Sequence, residues 1–246
     1  MSGLRAAWRL LRVVAHMLGG WFTITLLFPR WDQPRRNATV QAWSRRMLAL
    51  LGIPLQVHGQ PPAHGPMLLV ANHLSWLDIL VMHAARHCRF VAKSDVKHWP
   101  LIGTLATGGG TLYIEREKRR DAMRVVHHMR ESLAGREIIA VFPEGTTSDG
   151  RALLPFHANL IQAAISADAP VQPVALRFVD QATGDASASP LWLGDDTLVH
   201  SLWRTISGRP FAAHVRFGTP QRAEGRDRRA WAADLHDAVA ALRAAE

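Results

Sequence analysis

Apolar and polar positions divide the chain into three stretches. Between residues 55 and 217, short apolar or β-branched blocks at 67–71, 89–92, 111–114, 138–142, 171–176 and 213–217 are bounded by turn-forming or charged residues, which is the pattern of strands. Helical spacing fills several of the gaps. The alternation predicts an α/β fold, a mixed β-sheet flanked by helices. Ahead of it, residues 13–28 form the most hydrophobic stretch, interrupted by His16 and a Gly pair. Behind it, residues 227–245 read as a charged, Ala-rich helix concerned with packing or solubility, and residues 180–189 as a polar surface loop. The expected organisation is an N-terminal membrane-associating helical segment over 1–50, an α/β domain over 51–220 and a C-terminal helix over 221–246. Nothing repeats at a fixed period.

Composition and charge sharpen the reading of the first stretch. Residues 13–28 fall just short of the roughly 17–25 needed to span a bilayer. Arg5, Arg9, Arg12, Arg30, Arg35, Arg36, Arg45 and Arg46 stand on both flanks, and Trp8, Trp21 and Trp31 lie at head-group spacing. Two-sided arginines favour an interfacial or re-entrant helical hairpin, with a single transmembrane helix as the alternative. Pro29-Arg30-Trp31 follows Phe28 where a removable signal would carry small residues. A formal charge of +9 would attract any polyanion. Basic residues are spread along the chain without a nucleic-acid motif, so the expected partner is an anionic membrane and no nucleic acid. Cys88 is the sole cysteine, which excludes an internal disulfide and suits a reducing compartment. With 48% hydrophobic residues in 246, one sizeable core is within reach. The expected location is the cytoplasmic face of the inner membrane.

Candidate chemistry starts at Val70-Ala-Asn-His-Leu-Ser-Trp-Leu-Asp78, just after an apolar block. His73 is a candidate general base, and Asp78 could hold its ring in one tautomer and stabilise the imidazolium. With 13 His and 20 acids, about one such spacing arises by chance, so context decides. Ser75-x-x-Asp78 also has the form of a helix start, with Asp78 satisfying first-turn amides, and both readings can hold together. Phe142-Pro-Glu-Gly-Thr-Thr-Ser-Asp-Gly150 follows another block and supplies Glu144, a permissive Gly145 and the hydroxyls of Thr146, Thr147 and Ser148, a composition suited to polar head groups. Gly108-Gly-Gly-Thr-Leu-Tyr-Ile-Glu-Arg116 places Arg116 at a strand end, able to pair with a phosphate. His83 and His87 share the i, i+4 spacing of zinc helices but lack an intervening glutamate and a third ligand, and are expected to be a surface pair; no metal is expected. Neither Ser75 nor Ser148 lies in a Gly-x-Ser-x-Gly elbow.

In order and spacing these segments resemble the glycerolipid acyltransferase family, which includes the 1-acyl-sn-glycerol-3-phosphate acyltransferases. Asn72-His73-x-x-x-x-Asp78 resembles its first block, Tyr113-Ile-Glu-Arg116 its second, Phe142-Pro-Glu-Gly-Thr146 its third and Val171-Gln-Pro-Val174 its weaker fourth, covering roughly residues 55–180. The resemblance implies an enzyme that moves a fatty acyl group from acyl-CoA or acyl carrier protein to the hydroxyl of a lysolipid in phospholipid biosynthesis. The first acceptor it implies is 1-acyl-sn-glycerol-3-phosphate, giving phosphatidic acid. It makes His73 the base and Asp78 its orienting partner. It assigns Arg116, Glu144 and Gly145, with Thr146 in the same block, to the acceptor head group, and Lys93 resembles a family lysine near that site. No cofactor beyond the acyl co-substrate is implied. Where many relatives carry Phe-Lys-x-Gly after the third block, this chain has Phe156-His-Ala-Asn159. The lost cation brings another acceptor, such as a lyso-ornithine lipid, into play. A non-catalytic lipid-binding module is the reading from a different class.

Overall fold

The computed structural model describes residues 3–114 and 119–245. In chain order, α1 (Gly3–Phe22) runs through a π turn (Thr23–Leu27) and a 3-10 turn (Phe28–Arg30) before α2 (Gln33–Leu51) returns. Then follow β1 (Leu55–His58), β2 (Met67–Ala71), α3 (Leu77–Ala85), β3 (Arg89–Lys93), α4 (Ile102–Gly108), β4 (Leu112–Ile114), α5 (Arg119–Ala134) and β5 (Ile138–Val141). The last elements are α6 (Gln162–Ser166), β6 (Val171–Asp180), α7 (Leu198–Ser207), β7 (Phe211–Phe217) and α8 (Arg228–Ala244).

The strands form one seven-stranded sheet in the order β1-β7-β6-β2-β5-β3-β4. Every neighbouring pair is parallel except β6 with β7, so the sheet is mixed, as the sequence predicts. β2 and β5 at its centre are buried at every position, which is why Met67-Leu-Leu-Val-Ala71 and Ile138-Ile-Ala-Val141 read as unbroken apolar runs. Two cores cover the two faces. α1, α2, α3 and α7 contribute to one, with Leu48, Leu51, Leu77, Met82 and Ile206; α5, α6 and α8 build the other, with Met129, Leu133, Trp231 and Leu235. Because β2, β5, β3 and β4 run in one direction, the loops that leave their C-terminal ends gather at one edge of the sheet, where open α/β sheets place ligands.

At the N-terminus the helix is longer than the apolar run suggested. Residues Ala6–Arg30 form one helical stretch long and apolar enough to cross a membrane by length and composition. One side of it packs on the body: Ala6 and Val13 are buried, Gly20 lies against Trp43 and Leu105, and Ile24 lies against Gly108. His16 and Trp43 stack at 4.9 Å and each ring nitrogen meets the other residue's carbonyl oxygen, pinning α1 to α2. The opposite side carries Trp8, Leu11, Leu18, Phe22 and Leu26 into solvent. Asp32 caps α2 by accepting from the Arg35 amide, and Gly52 ends it with a φ of 77°.

Candidate active site

The site is built on the C-terminal ends of two adjacent central strands. β2 delivers His73 two residues past its end, and α3 brings Asp78 back in its first turn. His73 Nδ1 lies 2.8 Å from Asp78 Oδ2. The same oxygen accepts from the backbone amides of Leu74 at 2.6 Å and Ser75 at 2.8 Å. One carboxylate oxygen therefore both ties off the two amides that lead into α3 and faces the imidazole. Asp78 is fully buried, whereas the His73 side chain keeps 20% of its surface exposed. Asp78 can only accept, so the neutral ring carries its proton on Nδ1 and leaves the Nε2 lone pair for chemistry.

The loop after β5 closes around this pair. Glu144 is 4% exposed, and its two oxygens accept from the amide of His73 at 2.7 Å and that of Leu154 at 2.9 Å. Burial raises the Glu144 pKa above the ordinary carboxylate value, opposed by those two hydrogen bonds and by the charges of His73 and Arg243. Its carboxylate is thus engaged with the backbone of two loops, at His73 and at Leu154. The Ser148 amide donates to the His73 carbonyl at 2.9 Å, and the Thr147 hydroxyl donates to the Trp192 carbonyl at 2.6 Å. Thr146 remains exposed on the same loop. Gly145 adopts a φ of 72°, and a Cβ there would stand 2.9 Å from Cδ2 of His157. The imidazole of His157 consequently packs on Gly145. Lys93 ends β3, exposed, on the same edge of the sheet. Arg116 falls outside the described residues.

Three contributors carried no role in the sequence reading. Phe142 stacks on the His73 ring with centroids 4.0 Å apart and planes within 7°. That flat contact limits how far the imidazole can rotate. Asn72 is buried and exchanges two hydrogen bonds with Leu176 of β6, donating from Nδ2 to the carbonyl at 3.0 Å and accepting from the amide at 2.8 Å. It extends the β2–β6 pairing one step towards His73. Arg243, from α8, donates to the Gly150 carbonyl and so reaches this loop from the opposite face of the sheet. The spacing signal for Phe142 and Asn72 was present, because both flank the residues singled out; nothing local marked Arg243.

The expectation of a surface His83/His87 pair is overturned. The two rings stack at 5.2 Å, and His83 is buried beneath α3 with its edge on Phe90. Burial pushes His83 down to about 3, with His87 adding to the shift, and pushes His87 down to about 4. Among the described residues no cluster of three metal-ligating side chains occurs.

The family model described as Acyltransferase matches residues 54–177, which contain every residue of this constellation except Trp192 and Arg243. The chain belongs to the acyltransferase family. It is an O-acyltransferase, and related sequences agree. A protein named lyso-ornithine lipid O-acyltransferase from Pseudomonas aeruginosa is 36% identical, over 96% of this chain and 91% of that one. A 1-acyl-sn-glycerol-3-phosphate acyltransferase from Neisseria meningitidis serogroup B is 38% identical, over 84% of this chain and 81% of its own. The crystal structure of the 1-acyl-sn-glycerophosphate (LPA) acyltransferase PlsC from Thermotoga maritima superposes with a TM-score of 0.65, covering 97% of this chain and 99% of that one at 20% identity, and so shares the fold.

Proposed function

We propose that the chain acylates the free hydroxyl of a lysolipid, with 1-acyl-sn-glycerol-3-phosphate as the leading acceptor and an acyl thioester of CoA or acyl carrier protein as donor. The observation that carries this reading is the 2.8 Å contact of His73 with the buried Asp78. His73 Nε2 takes the hydroxyl proton as the oxygen attacks the thioester carbonyl. A C–O bond forms, the C–S bond breaks, and the proton held by His73 passes to the departing thiolate. Asp78 stabilises the transient imidazolium, and no covalent enzyme intermediate is required. Positioned base catalysis of this kind contributes about 10²–10⁴-fold.

Arg116 is assigned the acceptor's phosphate on the sequence pattern, with Lys93 nearby and Gly145 and Thr146 lining the head group. Glu144 acts through the His73 amide as a positioning residue. A second acceptor class is favoured by one observation: His157, rather than a lysine, packs on Gly145, so the site carries one fixed cation fewer. A lyso-ornithine lipid suits that charge. The α1–α2 hairpin associates with an anionic membrane, and the proposed location is the cytoplasmic face of the inner membrane. Packing of α1 and the π turn that follows it along the body, from Ala6 to Ile24, supports an interfacial pose, since a spanning helix would have to leave that contact.

The test is isotope-labelled acyl-CoA or acyl carrier protein offered to purified protein with a panel of lysolipids, read by product mass. Acylated lysolipid with wild type and none with His73→Ala is the expected result. Free fatty acid alone, whatever the acceptor, rejects transfer in favour of hydrolysis.

A further inference from the structure

Helix α7 carries an apolar face that the described residues leave uncovered. Its inner side, Ser201, Thr205 and Ile206, is buried. Outward, Val199 is 78% exposed and Trp203 46%, one helical turn apart, and Leu193 in the preceding loop is 45% exposed. Large apolar side chains grouped in this way mark a contact surface. Two observations say which. First, α7 packs against α1, whose own outward side is also apolar, carrying Trp8, Leu11, Leu18 and Phe22 with Leu26 in the π turn beyond. Arg12 on α1 and Arg30 in the 3-10 turn that ends the N-terminal helical stretch are exposed, where head groups would meet them. Second, the segment is joined to the site. Trp76, between His73 and Asp78, donates from its indole N–H to the Ser201 hydroxyl at 3.0 Å, and the Trp192 amide donates to the Leu74 carbonyl at 3.0 Å.

We infer that the outward face of α7, together with Leu193, is a second bilayer-contacting surface beside α1. Trp203 sits at the head-group level, where an amphipathic indole is favoured, and Val199 and Leu193 enter the acyl region. This contact fixes the roll of the protein about the α1 axis and holds the rim of the His73 loop against the lipid surface from which a lysolipid must come. The inference rests on membrane association of α1 and adds to it a surface and an orientation.

Cys88 is fully buried, so a thiol-reactive, polarity-sensitive dye reports a newly placed cysteine. Val199→Cys and Trp203→Cys are labelled in the full chain, with Leu18→Cys on α1 and Ala233→Cys on the exposed side of α8 as references. Vesicles of phosphatidylcholine and phosphatidylglycerol are then added. At positions 199 and 203 emission is expected to rise several-fold, shift to the blue and be quenched by lipids spin-labelled high on the acyl chain, as at 18 and unlike 233. Response at 18 with silence at 199 and 203 overturns the inference and leaves α1 association standing. Silence at 18 as well removes both. A blue shift that grows with protein concentration before vesicles are added assigns the face to a second copy and also overturns it. As an independent readout, Val199→Glu with Trp203→Glu should lower vesicle-bound protein about tenfold while leaving turnover of a monomeric short-chain acceptor unchanged.

Discussion

Replacing Asp78 by Asn separates the two jobs of one carboxylate. Oδ2 accepts from His73 Nδ1 and from two backbone amides, while Oδ1 is buried with no hydrogen-bond partner among the described residues. Asparagine can place its carbonyl oxygen where Oδ2 stands, keep all three donors and put its amide in the Oδ1 position. The unpaired buried amide costs about 1–3 kcal/mol of stability, which a folded domain tolerates. What disappears is the negative charge beside a developing imidazolium. At a charge separation near 4 Å and an effective dielectric of about 20, that interaction is worth about 4 kcal/mol; relaxation in a partly exposed site trims it to about 3 kcal/mol. Each 1.36 kcal/mol is tenfold, so kcat/KM should fall about 10²-fold. Initial rates with acyl-CoA and lysophosphatidic acid, with thermal unfolding run in parallel, provide the assay. Asp78→Ala is the poorer probe, because it also strips the Leu74 and Ser75 amides of their acceptor and mixes unfolding into the rate. A folded Asp78→Asn protein within threefold of wild type would refute the claim that a buried charge steadies His73 during transfer.

The other predictions follow from contacts of comparable clarity. Asn72→Ala leaves the amide and carbonyl of Leu176 without their side-chain partners and should destabilise by about 2–4 kcal/mol, read from urea midpoints. Gly145→Ala meets a left-handed backbone, for about 1–2 kcal/mol, and displaces His157 as well, so both stability and turnover should fall; unchanged stability would mean the loop adopts another conformation in solution. His83 and His87 are held neutral by burial, with folded values of about 3 and 4 against an unfolded value near 6.5. Between those values the unfolded chain binds more protons, so stability is complete above about pH 6.5 and is lost as the pH falls below it. For His83 the loss from pH 7 to pH 5 is about 2 kcal/mol, and His83→Leu should flatten the acid side of a stability-against-pH curve.

Sequence and structure agree best where local pattern and burial coincide. β2 and β5 lie between neighbours on both sides and are covered on both faces, so their apolar runs could hardly read otherwise. β1 escaped notice because Leu55-Gln-Val-His58 is an edge strand with exposed central residues, held by register with Ala213 to Arg216 rather than by its own hydrophobicity. β6 continues to Asp180, four residues beyond the predicted block, because antiparallel pairing with β7 supplies hydrogen bonds across the Arg177 interruption. His73, Asp78 and the 142–148 loop were legible because they follow strands whose ends meet at one edge. The partners that hold them were not. Asn72 meets Leu176 across 104 residues and Arg243 meets Gly150 across 93, separations at which no local spacing rule operates. The burial of His83 likewise depends on where α3 settles, which its own composition does not disclose.

The reach of Arg243 to the Gly150 carbonyl changes how the tail of the molecule should be handled. α8 is seated on the far layer, yet its final turn latches the loop that also carries Ser148 and the amide holding the His73 carbonyl. Trimming that turn for crystallisation, or straining it with a bulky fusion partner, would therefore retune the reaction centre from behind, and a loss of activity after such engineering should be traced to the latch before it is blamed on misfolding.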